Sequence, residues 1–141
     1  MLELLEKGEY GYLAMQGENG YGYGIPISFA FDGKSVYFHC APEGFKLRSI
    51  AENDKVSFCV VGHTYVIPGK FTTEYESVIA FGAIRDVADE NEKRRGLELI
   101  AQKYSPEFMG VADKYISGSF HRTKVLRLEI EHISGKGKTV G

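Results

Sequence analysis

The chain has 141 residues, enough for one domain that buries roughly two-thirds of its unfolded surface. Its formal net charge is −2, and no stretch is basic enough to follow a phosphate backbone, which argues against nucleic acid as a partner. Two cysteines are too few for a disulfide framework or a zinc knuckle and fit a reduced cytoplasmic interior.

No apolar run approaches the roughly 20 residues needed to span a bilayer. Met1 is followed by Leu-Glu-Leu-Leu-Glu rather than a basic region and an apolar core, so the expectation is a soluble, unexported protein without a membrane partner. Nine Tyr, nine Phe and 17 Gly stand against four Pro. Alternating runs rich in these residues predict a mainly β chain, a small barrel or sandwich of antiparallel strands joined by tight turns. No internal repeat or linker divides it, so residues 1–141 read as one domain.

Leu2 to Lys7 predicts a short helix with Leu2 and Leu5 on one side, stopped at Gly8. Gly11 to Met15 reads as a first strand. Gly17-Glu18-Asn19-Gly20 reads as a hairpin turn, because Asn-Gly accepts the positive φ such a turn needs. The return strand runs from about Tyr21 through Phe31, with Ile25, Ile27 and Phe29 alternating with Pro26, Ser28 and Ala30. Gly20-Tyr21-Gly22-Tyr23-Gly24 is no dinucleotide fingerprint, since it opens a strand rather than a helix. Pro26 lacks a ladder donor and so marks an edge or a bulge.

A third strand spans Ser35 to Cys40 and breaks at Ala41-Pro42-Glu43-Gly44. Helical spacing resumes with Leu47, Ile50 and Ala51, to end near Asn53-Asp54. A helix start of this kind leaves backbone N–H groups unpaired and favours an anion. Lys46 lies in that first turn, at the wrong end of a helix for a cation unless an anion is near. It is either plain solvated surface or one arm of a phosphate clamp.

The run Val56 to Val61 is a fourth strand, interrupted at Gly62 and continued by Tyr65-Val66-Ile67 before Pro68-Gly69. Glu76 to Val87 predicts the longest strand, its unbroken apolar centre implying burial on both faces. Asp89 and Glu92 are spaced as a capping box for a helix that buries Leu97, Ile100, Ala101 and Tyr104. Ser105-Pro106 opens a further helix to about Tyr115. Gly118 to Thr123 reads as a loop. Lys124 to Ile133 alternates as a last strand, and Gly135 to Gly141 as a frayed tail.

Conventional catalysis finds little footing. His39, His63, His121 and His132 lack the spacings of a zinc site, so no metal is expected. Cys40 has no evident base beside it, and Ser28 and Ser77 lack the context of an activated nucleophile. Glu74 and Glu76 have no acid–base partner. What remains is a phosphate-ready helix start beside a β-rich rim, suited to a cofactor that carries the chemistry itself.

The stretches Gly11–Met15, Ile25–Phe29, Val36–Lys46 (V-Y-F-H-C-A-P-E-G-F-K) and Glu76–Ile84 resemble the FMN-binding split-barrel flavoproteins. The branch they are most similar to is the pyridoxamine 5'-phosphate oxidase-like proteins related to nitroimidazole-resistance proteins. The resemblance covers about Leu5 to Lys136. It implies a six-stranded antiparallel split β-barrel with flanking helices, a homodimer, and FMN at the subunit interface. It further implies that Lys46 contacts the phosphate beside Ala41 and Gly44, and that Ile27 and Ser28 meet the isoalloxazine edge. His39 and Cys40 would line the ribityl or phosphate path, and Glu76 and Ser77 would approach from the following strand. The implied activity is an FMN-dependent oxidoreductase acting on a small acceptor, of the flavin reductase or nitroreductase kind. No catalytic side chain is assigned, and the alternative is a non-catalytic flavin- or haem-binding module. The pattern departs from the oxidases proper at Phe45, where they carry a further basic residue, and at the short C-terminus. Both departures argue against oxidation of a vitamin B6 phosphate.

Overall fold

The computed structural model describes residues 2–140. Its helices are α1 (Leu2–Lys7), α2 (Phe45–Glu52), α3 (Glu90–Tyr104) and α4 (Met109–Ser119). Its strands are β1 (Gly11–Gln16), β2 (Gly22–Ile27), β3 (Ala30–Phe31), β4 (Ser35–Cys40), β5 (Lys55–Ile67), β6 (Thr72–Asp86) and β7 (Lys124–Lys138). They form one sheet in the order β2-β1-β5-β6-β7-β4-β3, every pairing antiparallel. Strands β2 and β3 are its two edges, yet only Ser28 and Phe29 separate them in the chain. The sheet therefore has to curl until its edges meet, which makes it a split barrel.

The strand expected from Tyr21 to Phe31 divides at that seam, giving seven strands rather than six. Phe29 turns fully into the core. Its backbone leaves the ladder: the N–H donates to the Tyr104 hydroxyl at 3.0 Å, and the carbonyl accepts from Lys103 Nζ at 3.0 Å. Pro26 lies on β2, an edge, where a missing donor is tolerated. The β1–β2 hairpin closes through Gly20, at φ +87°.

Alternation carries Leu13 and Met15 of β1, Val56, Phe58 and Val60 of β5, and Leu126 and Leu128 of β7 into the barrel. Phe58 meets Phe29 and Phe38 edge-on at centroid distances of 4.8 and 5.1 Å, favoured geometries for aromatic pairs. The expected break in β5 is a register shift between Val61 and Thr64.

The double burial expected for β6 is not found. Val78, Ala80 and Ile84 face inward, but Phe81 is 42% exposed on the outer side. Burial on both faces belongs to β4 instead, because α3 and α4 cover its outer face with a second cluster built on Tyr37, Leu97, Ile116 and Val125. Residues 118–123 also differ from the expected loop: α4 runs to Ser119 and a 3-10 turn follows over Phe120–Arg122. The tail is ordered further than expected, because Tyr75 to Ser77 of β6 pair with Lys138 to Lys136. Gly141, the end of that expected tail, lies outside the described residues.

Candidate functional site

Strand β4 pairs with β7 as far as Cys40, opposite Lys124, so the chain leaves the sheet at the barrel's rim. The turn over Ala41 to Gly44 then leads into α2, which packs on β1 and β6. Gly44 is the residue before α2 and has φ 150° and ψ 175°, a backbone region that only glycine occupies without strain. It offers no side-chain cap, and the first turn of α2 holds no acidic residue. The first helical bond runs from Arg48 N–H to Gly44 C=O at 3.2 Å, so the amides of Phe45, Lys46 and Leu47 have no partner within the helix. A Cβ placed on Gly44 would meet nothing within 4 Å, so glycine is needed there for its backbone angles and not for space.

Three contacts hold this helix start rigid. Ser49 is buried, unlike the expected Ala51, and its hydroxyl accepts from the Glu18 N–H of the β1–β2 hairpin at 2.9 Å. Arg48 Nε pairs with the Glu18 carboxylate at 2.8 Å. Phe45 packs on Tyr23 of β2 with ring centroids 4.8 Å apart. A second basic residue at Phe45 would forgo that packing, which is one physical reason for an aromatic before Lys46.

Ala41, Gly44 and Lys46 share this turn; Cys40 packs against the barrel core and His39 opens to the α3–α4 side, both within reach of the Lys46 charge. The His39 ring is crowded: partial desolvation first, then the Lys46 ammonium, hold its pKa below the ordinary 6.5. It is therefore a neutral imidazole at pH 7. Desolvation raises the Cys40 thiol above its ordinary 9.0, with Lys46 and Lys124 pulling against it and Asp86 pushing with it. The thiol stays protonated and is a poor nucleophile. Lys124 and Asp86, joined at 2.7 Å, border the site. They escape a linear reading because only the β4–β7 and β6–β7 registers bring them there.

Ile27 and Ser28 lie at the seam instead, lining a hollow of about 440 Å³ with Tyr10, Pro26 and Tyr104. Glu76 and Ser77 are at the far end of β6. Glu76 accepts from the His63 N–H at 3.3 Å, and Ser77 lies opposite Val61 and Lys136. Ser77 and Asp86 are nine positions apart on the strand, ~30 Å at the usual rise. A single chain does not bring Glu76 or Ser77 to Lys46. Among the described residues no three His, Cys, Asp or Glu converge as a metal site.

A curled antiparallel sheet closed at one seam, with a bare helix start and a lysine at its rim, is a split barrel of the flavoprotein type. The chain belongs to the pyridoxamine 5'-phosphate oxidase family, whose model it matches over residues 1–137. Solved structures agree on the fold. A candidate 5-nitroimidazole antibiotic resistance protein from Bacteroides thetaiotaomicron is 19% identical with a TM-score of 0.79, over 95% of this chain and 80% of that one. The FAD and heme binding protein from Mycobacterium smegmatis is 22% identical with a TM-score of 0.80, over 96% and 68%. The flavocytochrome Anf3 from Azotobacter vinelandii is 22% identical with a TM-score of 0.77, over 99% and 66%. At such identities the likeness speaks for fold alone. No curated protein matches the chain.

Proposed function

We propose that this chain is an FMN-dependent oxidoreductase that acts on a small acceptor, as a cytoplasmic homodimer. The observation that carries the reading is the uncapped start of α2, where the amides of residues 45–47 have no helical partner and Lys46 shares the first turn with no carboxylate. That donor set fits a phosphate monoester: N–H groups and the helix dipole for the oxygens, an ammonium for the charge. Family membership and the FAD- and heme-binding protein among the structural neighbours support it.

Lys46 and the amides of residues 45–47 hold the phosphate, with Ala41 and Gly44 leaving the approach clear. Neutral His39 offers one donor and one acceptor to the ribityl path, and Cys40 closes its apolar side. Ile27 and Ser28 present backbone groups to the ring edge at the seam. Bound flavin supplies two-electron chemistry, from a reduced donor such as a nicotinamide to the acceptor. One lysine carries the phosphate charge, so affinity rests heavily on it.

The outer face of the sheet supports the dimer. Tyr12, Cys59 and Ile79 form one cross-strand row, flanked by Val61 and Phe81. Tyr12, Val61 and Phe81 are 46, 48 and 42% exposed. The outer face of an antiparallel sheet is ordinarily polar, and an apolar stripe of this kind fits a second copy. In this reading Glu76 and Ser77 serve the partner's cofactor.

Freshly purified protein is expected to show flavin absorbance and to release a ligand with the mass of FMN. Lys46→Ala is expected to weaken FMN binding about 10- to 100-fold in a fluorescence titration, the worth of a charged hydrogen bond. A colourless protein that takes up no FMN would overturn the reading, and full affinity in the variant would overturn the phosphate assignment. A structural neighbour that binds both FAD and heme favours a second reading: a non-catalytic flavin- or haem-binding module. Rapid reduction of the bound flavin by NADH or NADPH, followed by turnover with an acceptor, excludes that module.

A further inference from the structure

Helices α3 and α4 leave a cleft of about 620 Å³ between them, on the outer side of β4. Its apolar wall comes from Leu97 and Ile100 of α3 and from Val111 and Ile116 of α4. Lys114 and Arg122 lie on its rim, and no Asp or Glu lines it. The neighbouring charges are already engaged: Arg94 pairs with Asp113 at 2.8 Å, and Lys93 donates to the Phe120 carbonyl. Among the described residues, Lys114 and Arg122 make no salt bridge and no side-chain hydrogen bond.

We infer that this cleft is a second ligand site, taking a small carboxylate with an apolar body, aromatic or branched-alkyl. The volume is that of small-molecule sites. A compact inorganic anion would leave the apolar wall wet, and a neutral apolar molecule would leave two cations unanswered. An aryl carboxylate satisfies both, its ring against Ile100 and Val111 and its carboxylate on the fork of Arg122. His39 lines the same cleft and also feels the charge of Lys46. A carboxylate bound here therefore favours protonation of His39, which couples the cleft to the rim around α2. The inference stands on the cleft alone and does not rest on the flavin reading.

The probe is 1-naphthoate, titrated calorimetrically into the purified chain beside its neutral counterpart 1-naphthamide. Saturable one-to-one binding of the carboxylate is expected, at least tenfold tighter than the amide. The double variant Lys114→Gln/Arg122→Gln is expected to lower naphthoate affinity at least tenfold and to leave the amide unchanged. Val111→Glu, at a half-exposed position on the apolar wall, is expected to weaken both probes by wetting that wall and to weaken naphthoate more by repulsion. In an NMR titration the His39 ring signals move with occupancy while those of His63 and His132 stay. Equal affinity for the two probes, no saturation, unchanged affinity in both variants, or a stationary His39 would each overturn the assignment.

Discussion

The hydroxyl of Tyr104 joins three parts of the chain at the barrel's seam. It accepts the Phe29 N–H at 3.0 Å and has the carbonyls of Glu9 and Phe29 at 2.6 and 3.1 Å as acceptors for its own proton. Lys103, next in the helix, donates to the same Phe29 carbonyl and sits 3.5 Å over the Phe29 ring. Desolvation there lowers its pKa to about 8. Helical spacing marks Tyr104 as a buried apolar residue of α3, but the residue is 36% exposed and its hydroxyl makes the contacts. Tyr104→Phe keeps the ring and strands the Phe29 N–H. The expected cost is about 1–3 kcal/mol, read as a lower urea midpoint with unchanged slope. An unchanged midpoint would mean that the seam is held by packing alone.

At the scale of elements, α3 docks on the sheet through one carboxylate. Asp89 caps the helix as its spacing predicts, accepting the Glu92 N–H at 2.8 Å. The Glu92 side chain is turned to the sheet, where it accepts from the Tyr37 hydroxyl and from Arg127 Nη1, both at 2.9 Å. Arg85 stands 3.7 Å away. Desolvation pushes the Glu92 pKa up, but the hydrogen bonds from Tyr37 and Arg127 and the charges of Arg127 and Arg85 together outweigh it, so the net shift is below the ordinary 4.5. A carboxylate with a depressed folded pKa contributes stability that is complete above its unfolded value and lost as pH falls through the folded one. The urea midpoint is therefore expected to fall below about pH 4.5. Glu92→Gln should lower stability at pH 7 and flatten that acid-side fall. An unaltered slope in the variant would assign the acid sensitivity to other carboxylates.

For the whole molecule, the curled sheet leaves two consequences. Its interior is filled by one continuous cluster, from Leu5 of α1 through Phe58 to Leu128. Its outer face over β1, β5 and β6 carries apolar residues that no helix covers, and there the proposed dimer is testable. Ile79→Glu places a charge in the centre of the stripe, between Cys59 and Ser134. Sedimentation is expected to change from dimer to monomer, with the barrel's circular dichroism retained. A wild-type chain that sediments as a monomer would remove the dimer, and with it any role for Glu76 and Ser77 at a cofactor.

Local chemistry is legible in the sequence because it depends on neighbours a few residues apart. The hairpin through Gly20, the cap at Asp89 and the bare helix start at Gly44 to Lys46 all follow from backbone preferences and spacing. So does the edge position of Pro26. Tertiary structure alone decides what depends on distant pairing. The seam at Ser28-Phe29 exists because Tyr104, some 75 positions on, takes the backbone groups that a ladder would have used. The apolar centre of β6 reads as doubly buried, yet helices cover β4, since only the crossover through α3 and α4 settles which strand they shield. The resemblance to the family puts Glu76 and Lys46 at one cofactor site. The β6–β7 register sets Glu76 far along β6 from Asp86, whose charge Cys40 feels beside that of Lys46, because a strand's reach grows by ~3.3 Å with every residue.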